Sequence, residues 1–288
     1  MAKQFHKNAE VEICFLARGK HLQAIKDKGL KILKGTSEFN AIPYLASDDP
    51  KELGIANYIL ICTKTYDLNS IIEQLKPCID EHTIILPLLN GVDGFEKIKK
   101  LLPHNTILNG CVYIVSRLKE AGVIENSGNI ETLYFGIDGS PGKELQTLET
   151  LFKQAGIEAT LSPNISSIVW EKFIFISPTA TATSYFNTCI GEIVADEKKL
   201  TVFTHLVEEV KQIALKKKIA ISPDISEKTL AKLKKLPFDT TSSMHSDIKN
   251  NKTQTEVEAL TAYVVDEAKR YGIAVPTYEM AYKALKRK

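Results

Sequence analysis

The chain is short of cysteine, of net charge and of long apolar runs, and each shortage removes a class of protein. Its five cysteines (Cys14, Cys62, Cys78, Cys111, Cys189) lie far apart with no Cys-x-x-Cys pair. That argues against a disulfide framework and a cysteine zinc site, and fits a reducing, cytoplasmic setting. Lysine plus arginine number 37 against 35 aspartate plus glutamate, a net charge of +2, so no global field draws nucleic acid or an acidic membrane. The longest apolar stretches, such as residues 83–89, fall far below the roughly 18 residues of a membrane span. The opening residues hold no apolar core for a signal peptide. The six histidines show no metal-ligand spacing, and no metal is assigned. No two glycines stand as Gly-x-Gly, so the backbone cradle that such a loop offers a pyrophosphate is missing.

What is there is an ordinary globular composition, 44% hydrophobic and 25% charged, over 288 residues, enough for two domains with a sizeable core. The first half alternates short β-rich runs with helical patterns, the signature of a parallel sheet with helical crossovers. Val11–Ala17, Ala56–Cys62 and Thr83–Leu88 read as strands, His21–Lys28 and Leu68–Cys78 as helices. Leu108–Val115, Val123–Glu125 and Thr132–Ile137 read as an antiparallel set. Leu145, Leu148, Leu151 and Phe152 mark a helix, and Ile157–Leu161 a last strand. From Asn164 onward strand signals stop and helical patterns run from Ile165 past Trp170, from Lys199 to Lys218 and from Glu256 to Tyr271. The expected architecture is a Rossmann-like α/β dinucleotide-binding domain over residues 1–163, followed by an all-α domain over residues 164–288. The basic clusters Lys216-Lys217-Lys218 and Lys286-Arg287-Lys288 read as solvated helix ends.

Open α/β sheets bind dinucleotides beyond the carboxyl ends of their strands. Where a NAD-binding version carries an acidic residue, this chain has Leu16-Ala17-Arg18-Gly19. Arg18 is either a solvated turn residue or a planar fork for a 2′-phosphate. Met1–Lys7 reads as the tail of the helix that would follow a glycine loop. The chain is therefore expected to begin inside the cofactor fold, through a misplaced start or a truncation. Lys64, in Cys62-Thr63-Lys64, can neutralise a phosphate or carboxylate, and Asn90, in Asn90-Gly91, can bind ribose or carbonyl groups; Asn-Gly is also an ordinary turn.

On a helix, Lys172 shares its face with Ile168, Val169, Phe175 and Ile176, so its amine must snorkel, find a partner or lie in a cleft. Partial burial lowers a lysine's affinity for its proton, which suits a general acid. Pro178 follows, and residues 179–184 are all small. Thr253 with Glu256 fits a capping box, while Glu256 could equally pair with Lys172.

With these residues in hand, the chain resembles the ketopantoate reductase (2-dehydropantoate 2-reductase) family over nearly its full length. The resemblance rests on Phe15-Leu-Ala-Arg-Gly-Lys-His-Leu22, Cys62-Thr-Lys64, Asn90-Gly91, Trp170-Glu-Lys172, Gly191-Glu192, Ser242-Ser-Met244 with Asp247, Thr255-Glu256 and Gly272-Ile-Ala-Val-Pro276. It implies an NADPH enzyme that reduces 2-dehydropantoate to pantoate, on the route to pantothenate and coenzyme A. By the same resemblance, Lys172 is the proton donor, Arg18 and Lys64 contact the cofactor's phosphates, and Asn90 sits beside nicotinamide and substrate. Ser243 binds the substrate carboxylate and Glu256 supports the cofactor end. Ile176, Ala180 and Ile190 stand where the family commonly has asparagines. They keep open a reductase of another branched 2-oxo acid; the missing glycine loop keeps open a catalytically silent nucleotide-binding paralogue. The expected partners are a small 2-oxo acid and a second copy in a homodimer, with no nucleic acid and no membrane.

Overall fold

The computed structural model describes residues 11–128 and 130–286. The Met1–Lys7 reading lies outside the described residues, as do Arg287 and Lys288. The described chain forms two compact units. The first is built from residues up to Ile61, Ser70–Leu88 and Ile98–Ile165. The second takes two short excursions, Cys62–Asn69 and Leu89–Lys97, together with everything from Ser166 on.

In chain order, β1 (Cys14–Leu16), α1 (Gly19–Lys28), β2 (Leu30–Lys34), β3 (Ser37–Ala41), β4 (Leu45–Ser47) and β5 (Tyr58–Ile61) come first. Then follow α2 (Leu68–Leu75), β6 (Ile84–Pro87), α3 (Gly94–Leu101), β7 (Thr106–Ile107), β8 (Asn109–Tyr113), β9 (Ser116–Glu120) and β10 (Val123–Asn126). β11 (Thr132–Gly136), α4 (Lys143–Gln154) and β12 (Glu158–Leu161) close the α/β part. The β-branched runs of β5 and β6 pair in parallel, Tyr58 opposite Ile84, and β6 continues in parallel to β7. β1 pairs in parallel with β4. The apolar face of α4, Leu145, Leu148 and Phe152, is buried with Leu133 and Phe135, whose ring meets Phe152 edge-on at 5.2 Å.

The expected antiparallel set is only partly correct. β11 does run antiparallel to β8, but β10 pairs in parallel with β2 and antiparallel with β9. The pattern hid this because β9 is polar and exposed along its whole length, so no hydrophobic alternation announces it as the edge strand.

After residue 165 the described residues are helical: α5 (Ile165–Phe186), α6 (Ile190–Ala195), α7 (Glu197–Lys216), α8 (Ile225–Lys234) and α9 (Ser243–Lys249). A π-turn (Glu258–Ala262), α10 (Tyr263–Tyr271) and α11 (Pro276–Leu285) complete the unit. α7 shows why: Phe203, Leu206, Val207, Val210 and Ile213 fall on one face at helical spacing, and all are buried. α11 opens on Pro276, and the Glu209 carboxylate accepts the next two backbone N–H groups, of Thr277 and Tyr278, at 2.9 Å each.

Lys217 is not the solvated helix end its sequence suggests. Its side chain is 11% exposed, and its ammonium pairs with Glu267 at 2.6 Å and Glu96 at 3.3 Å. Those carboxylates lie 50 and 121 residues away in sequence, beyond any local pattern. Among the described residues no helix is long and apolar enough to cross a membrane.

Candidate active site

Three loops that follow the carboxyl ends of parallel strands carry sequence-predicted site residues. After β1, Arg18 precedes α1 in extended conformation, exposed, with no side-chain capping bond. After β5, Lys64 leads into a single 3₁₀ turn. After β6 come Asn90 and Gly91, and Gly91 has φ +92°, a conformation that side chains other than hydrogen resist. A Cβ there would also stand 3.3 Å from Asp93 Oδ1, so the turn that presents Asn90 requires glycine.

Within the second unit the loops of Lys64 and Asn90 meet two buried carboxylates. The Lys64 ammonium lies 3.3 Å from Glu256 Oε2 and 3.4 Å from Asp247 Oδ2, and Asn90 Nδ2 donates to Glu256 Oε2 at 3.5 Å. Glu256 is 2% exposed, and Asp247 also holds Lys252 at 2.6 Å. Glu256 is therefore not the third residue of a capped helix, the first of its two readings. It precedes the helical segment, and its carboxylate points to Lys64 and Asn90.

Burial by itself would pull the Lys64 pKa down, but Glu256 and then Asp247 outweigh it, and the net shift is upward from the ordinary 10.5. A raised lysine pKa contributes stability that is complete below its unfolded value and lost as pH rises through the folded one. Melting curves taken between roughly pH 8 and 12 should therefore fall more steeply for the wild type than for Glu256→Gln, which weakens this pairing. Parallel curves would show that the pair adds nothing to the folded state.

Of the two adjacent serines, Ser242 is spent on the fold. Its Oγ accepts the N–H of His245 at 3.0 Å as the cap of α9 and shares a proton with Thr183 at 2.8 Å. Ser243, the first residue of α9, stays exposed. Asp247 follows one turn later on the same face. Sequence reasoning gave Asp247 no role; that four-residue spacing from Ser243 was the available signal. Lys172 sits half-buried on α5 beside buried Val169 and Phe173. Of the three apolar replacements, Ala180 and Ile190 are sealed in the helical core, and Ile176 packs at its border. Gly191 is forced by packing: a Cβ there would fall 2.1 Å from the Phe238 ring, and its N–H donates to the Phe238 carbonyl at 2.8 Å.

One detail bears on a bound cofactor. Thr63 Oγ1, next to Lys64, is buried without a hydrogen-bond partner among the described residues. A buried hydroxyl of this kind calls for a polar atom to complete it, and with Lys64 beside it that fits an anionic or ribose-bearing group.

The family described as Ketopantoate reductase PanE/ApbA matches residues 1–139, and its C-terminal counterpart, Ketopantoate reductase PanE/ApbA C terminal, matches residues 164–288. The chain belongs to the ketopantoate reductase family. The crystal structure of 2-dehydropantoate 2-reductase from Porphyromonas gingivalis W83 is 33% identical, superposes with a TM-score of 0.86, and is covered to 93% by 99% of this chain. An uncharacterised oxidoreductase, YkpB of Bacillus subtilis strain 168, is 28% identical over 95% of this chain and 90% of its own length. A ternary structure of D-mandelate dehydrogenase with NADH and anilino(oxo)acetate shares the fold at a TM-score of 0.84 and 20% identity, covering 99% of this chain and 93% of that one. The ketopantoate reductase fold is thus a Rossmann-like α/β domain followed by a helical domain, and the family is one of oxidoreductases.

Proposed function

We propose that this chain is an NADPH-dependent reductase of a 2-oxo acid, with 2-dehydropantoate as its substrate and pantoate, on the way to pantothenate and coenzyme A, as its product. The observation that carries the reading is the gathering of Lys64 and Asn90, from the loops that follow the parallel strands β5 and β6, around the Glu256 carboxylate; loops after such strands bind dinucleotides. Arg18 and Lys64 would hold the cofactor's phosphates, with Glu256 fixing Lys64 and Asn90. The chemistry the cofactor supplies when bound is hydride donation to the ketone carbon. Asn90 polarises the carbonyl, Ser243 holds the substrate carboxylate, and the Lys172 ammonium gives its proton to the carbonyl oxygen as the alcohol forms. Lys172 then recovers a proton from water. Holding the reactants in place and stabilising the developing oxyanion carry most of the acceleration. A homodimer is part of the same reading, and sedimentation would test it.

The experiment is an NADPH-oxidation assay across a panel of 2-oxo acids, repeated with NADH and with Arg18→Gln. A charge-assisted contact to the 2′-phosphate is worth roughly 1.5–3 kcal/mol, so NADPH should be preferred about tenfold to a hundredfold, and Arg18→Gln should erase most of that. Equal affinity for the two cofactors in the wild type would remove Arg18 from the site. Cofactor binding without turnover on any 2-oxo acid would make the chain a silent nucleotide-binding paralogue. A second reading, a reductase of another branched 2-oxo acid, is favoured by the apolar packing at Ile176, Ala180 and Ile190, which offers no hydrogen bonds to substrate hydroxyls. The same panel decides it by rank order.

A further inference from the structure

The segment after Glu256 is not an ordinary helix start. Glu258–Ala262 make one turn of π-helix, in which the Tyr263 N–H reaches back five residues to the Glu258 carbonyl. A π-turn holds one residue more than an α-turn and persists where its surroundings impose it. Here the surroundings are specific. On α5, the fully buried Ser177 hydroxyl donates to the Leu260 carbonyl at 2.6 Å. The buried Tyr278 hydroxyl lies 2.6 Å from Ser177 Oγ, and with the serine proton committed to Leu260 it is the tyrosine that donates. One turn further along α5, Thr181 and Thr261 join hydroxyl to hydroxyl at 2.8 Å, both fully buried. The Asn90–Gly91 turn also comes close to this segment: a Cβ at Gly91 would stand 3.6 Å from the Ala259 carbonyl oxygen.

The extra residue matters for direction. Each residue advances a helix by about 100°, so a one-residue change of register turns whatever precedes the segment by about that angle. Two residues ahead of Glu258 stands Glu256, whose carboxylate meets Lys64 and Asn90.

We infer that Ser177 and Thr181 are positioning residues: their hydroxyls hold the π-turn in register, and the π-turn aims Glu256 at Lys64 and Asn90. The inference rests on the proposed reading of those three residues as the cofactor side of the site. Ser177 and Thr181, both fully buried, act only through Glu256.

The test is a double-mutant cycle of Ser177→Ala with Glu256→Gln, read in the NADPH dissociation constant, in KM against kcat, and in unfolding free energy. Ser177→Ala should weaken NADPH affinity about tenfold and raise the cofactor KM more than it lowers kcat, and it should add little once Glu256→Gln is present, because coupled residues are non-additive. Tyr278→Phe keeps the Ser177 to Leu260 bond and should leave affinity near the wild type. Should Ser177→Ala fail to fold, Thr181→Val combined with Thr261→Val replaces both hydroxyls by apolar groups of the same shape, a change of small stability cost, and enters the same cycle. Additive effects, or an unchanged dissociation constant, would overturn the inference. A wild type that binds no NADPH would refute the functional reading instead; coupling of Ser177 to Glu256 in the unfolding free energy would still support the positioning role, and additivity there would end it.

Discussion

Lys172→Ala should lose roughly 10²- to 10⁴-fold in turnover, the usual contribution of a positioned general acid, with little change in NADPH affinity or melting temperature. The residue is half-buried on α5, on a face with Ile168, Val169, Phe175 and Ile176, and such a place is costly for a charge that serves no purpose. The change truncates a flexible, half-buried side chain and opens no large cavity, so folding should tolerate it. Turnover, cofactor affinity and melting temperature measured on one preparation separate the possibilities. Near-normal turnover would reduce Lys172 to a snorkelling side chain, and a collapsed melting temperature would make it structural.

Its neighbour should behave in the opposite way. Phe173→Ala is expected to cost about 3–5 kcal/mol of stability, the range for emptying a fully packed aromatic site. Phe173 is fully buried, with its ring centroid 5.6 Å from that of Trp170 and 5.8 Å from that of Tyr263, both edge-on. Successive helical residues point about 100° apart, which lets one helix give Lys172 and Phe173 separate surroundings. Denaturant unfolding followed by Trp170 fluorescence would measure the loss, since Trp170 is the only tryptophan and sits in the same aromatic cluster. A loss below about 1 kcal/mol would mean that the site collapses around the missing ring instead of keeping its rigid packing.

Local pattern carried a good deal of this protein. Strand and helix periodicities in the first half, and their replacement by helical spacing after Asn164, are properties of short windows, and the α/β unit followed by helices emerges as they require. The strand ends that place Arg18, Lys64 and Asn90 were legible for the same reason: a β-branched run that stops at a polar loop marks its own boundary. What the windows could not carry is long-range or apolar-poor. β9 shows no alternation because it is an exposed edge, and Lys217 gave no sign of burial because Glu96 and Glu267 are distant in sequence. Glu256 is the sharpest case. Thr253 and Glu256 have the spacing of a capping box, yet the chain reserves that carboxylate for Lys64, 192 residues earlier, and for Asn90, 166 residues earlier. Local hydrogen bonding and tertiary pairing competed for one side chain. The tertiary partners win because a buried carboxylate must be matched by charge or donors, and because Ser177 and Thr181, brought against this segment only by folding, hold the π-turn behind Glu256.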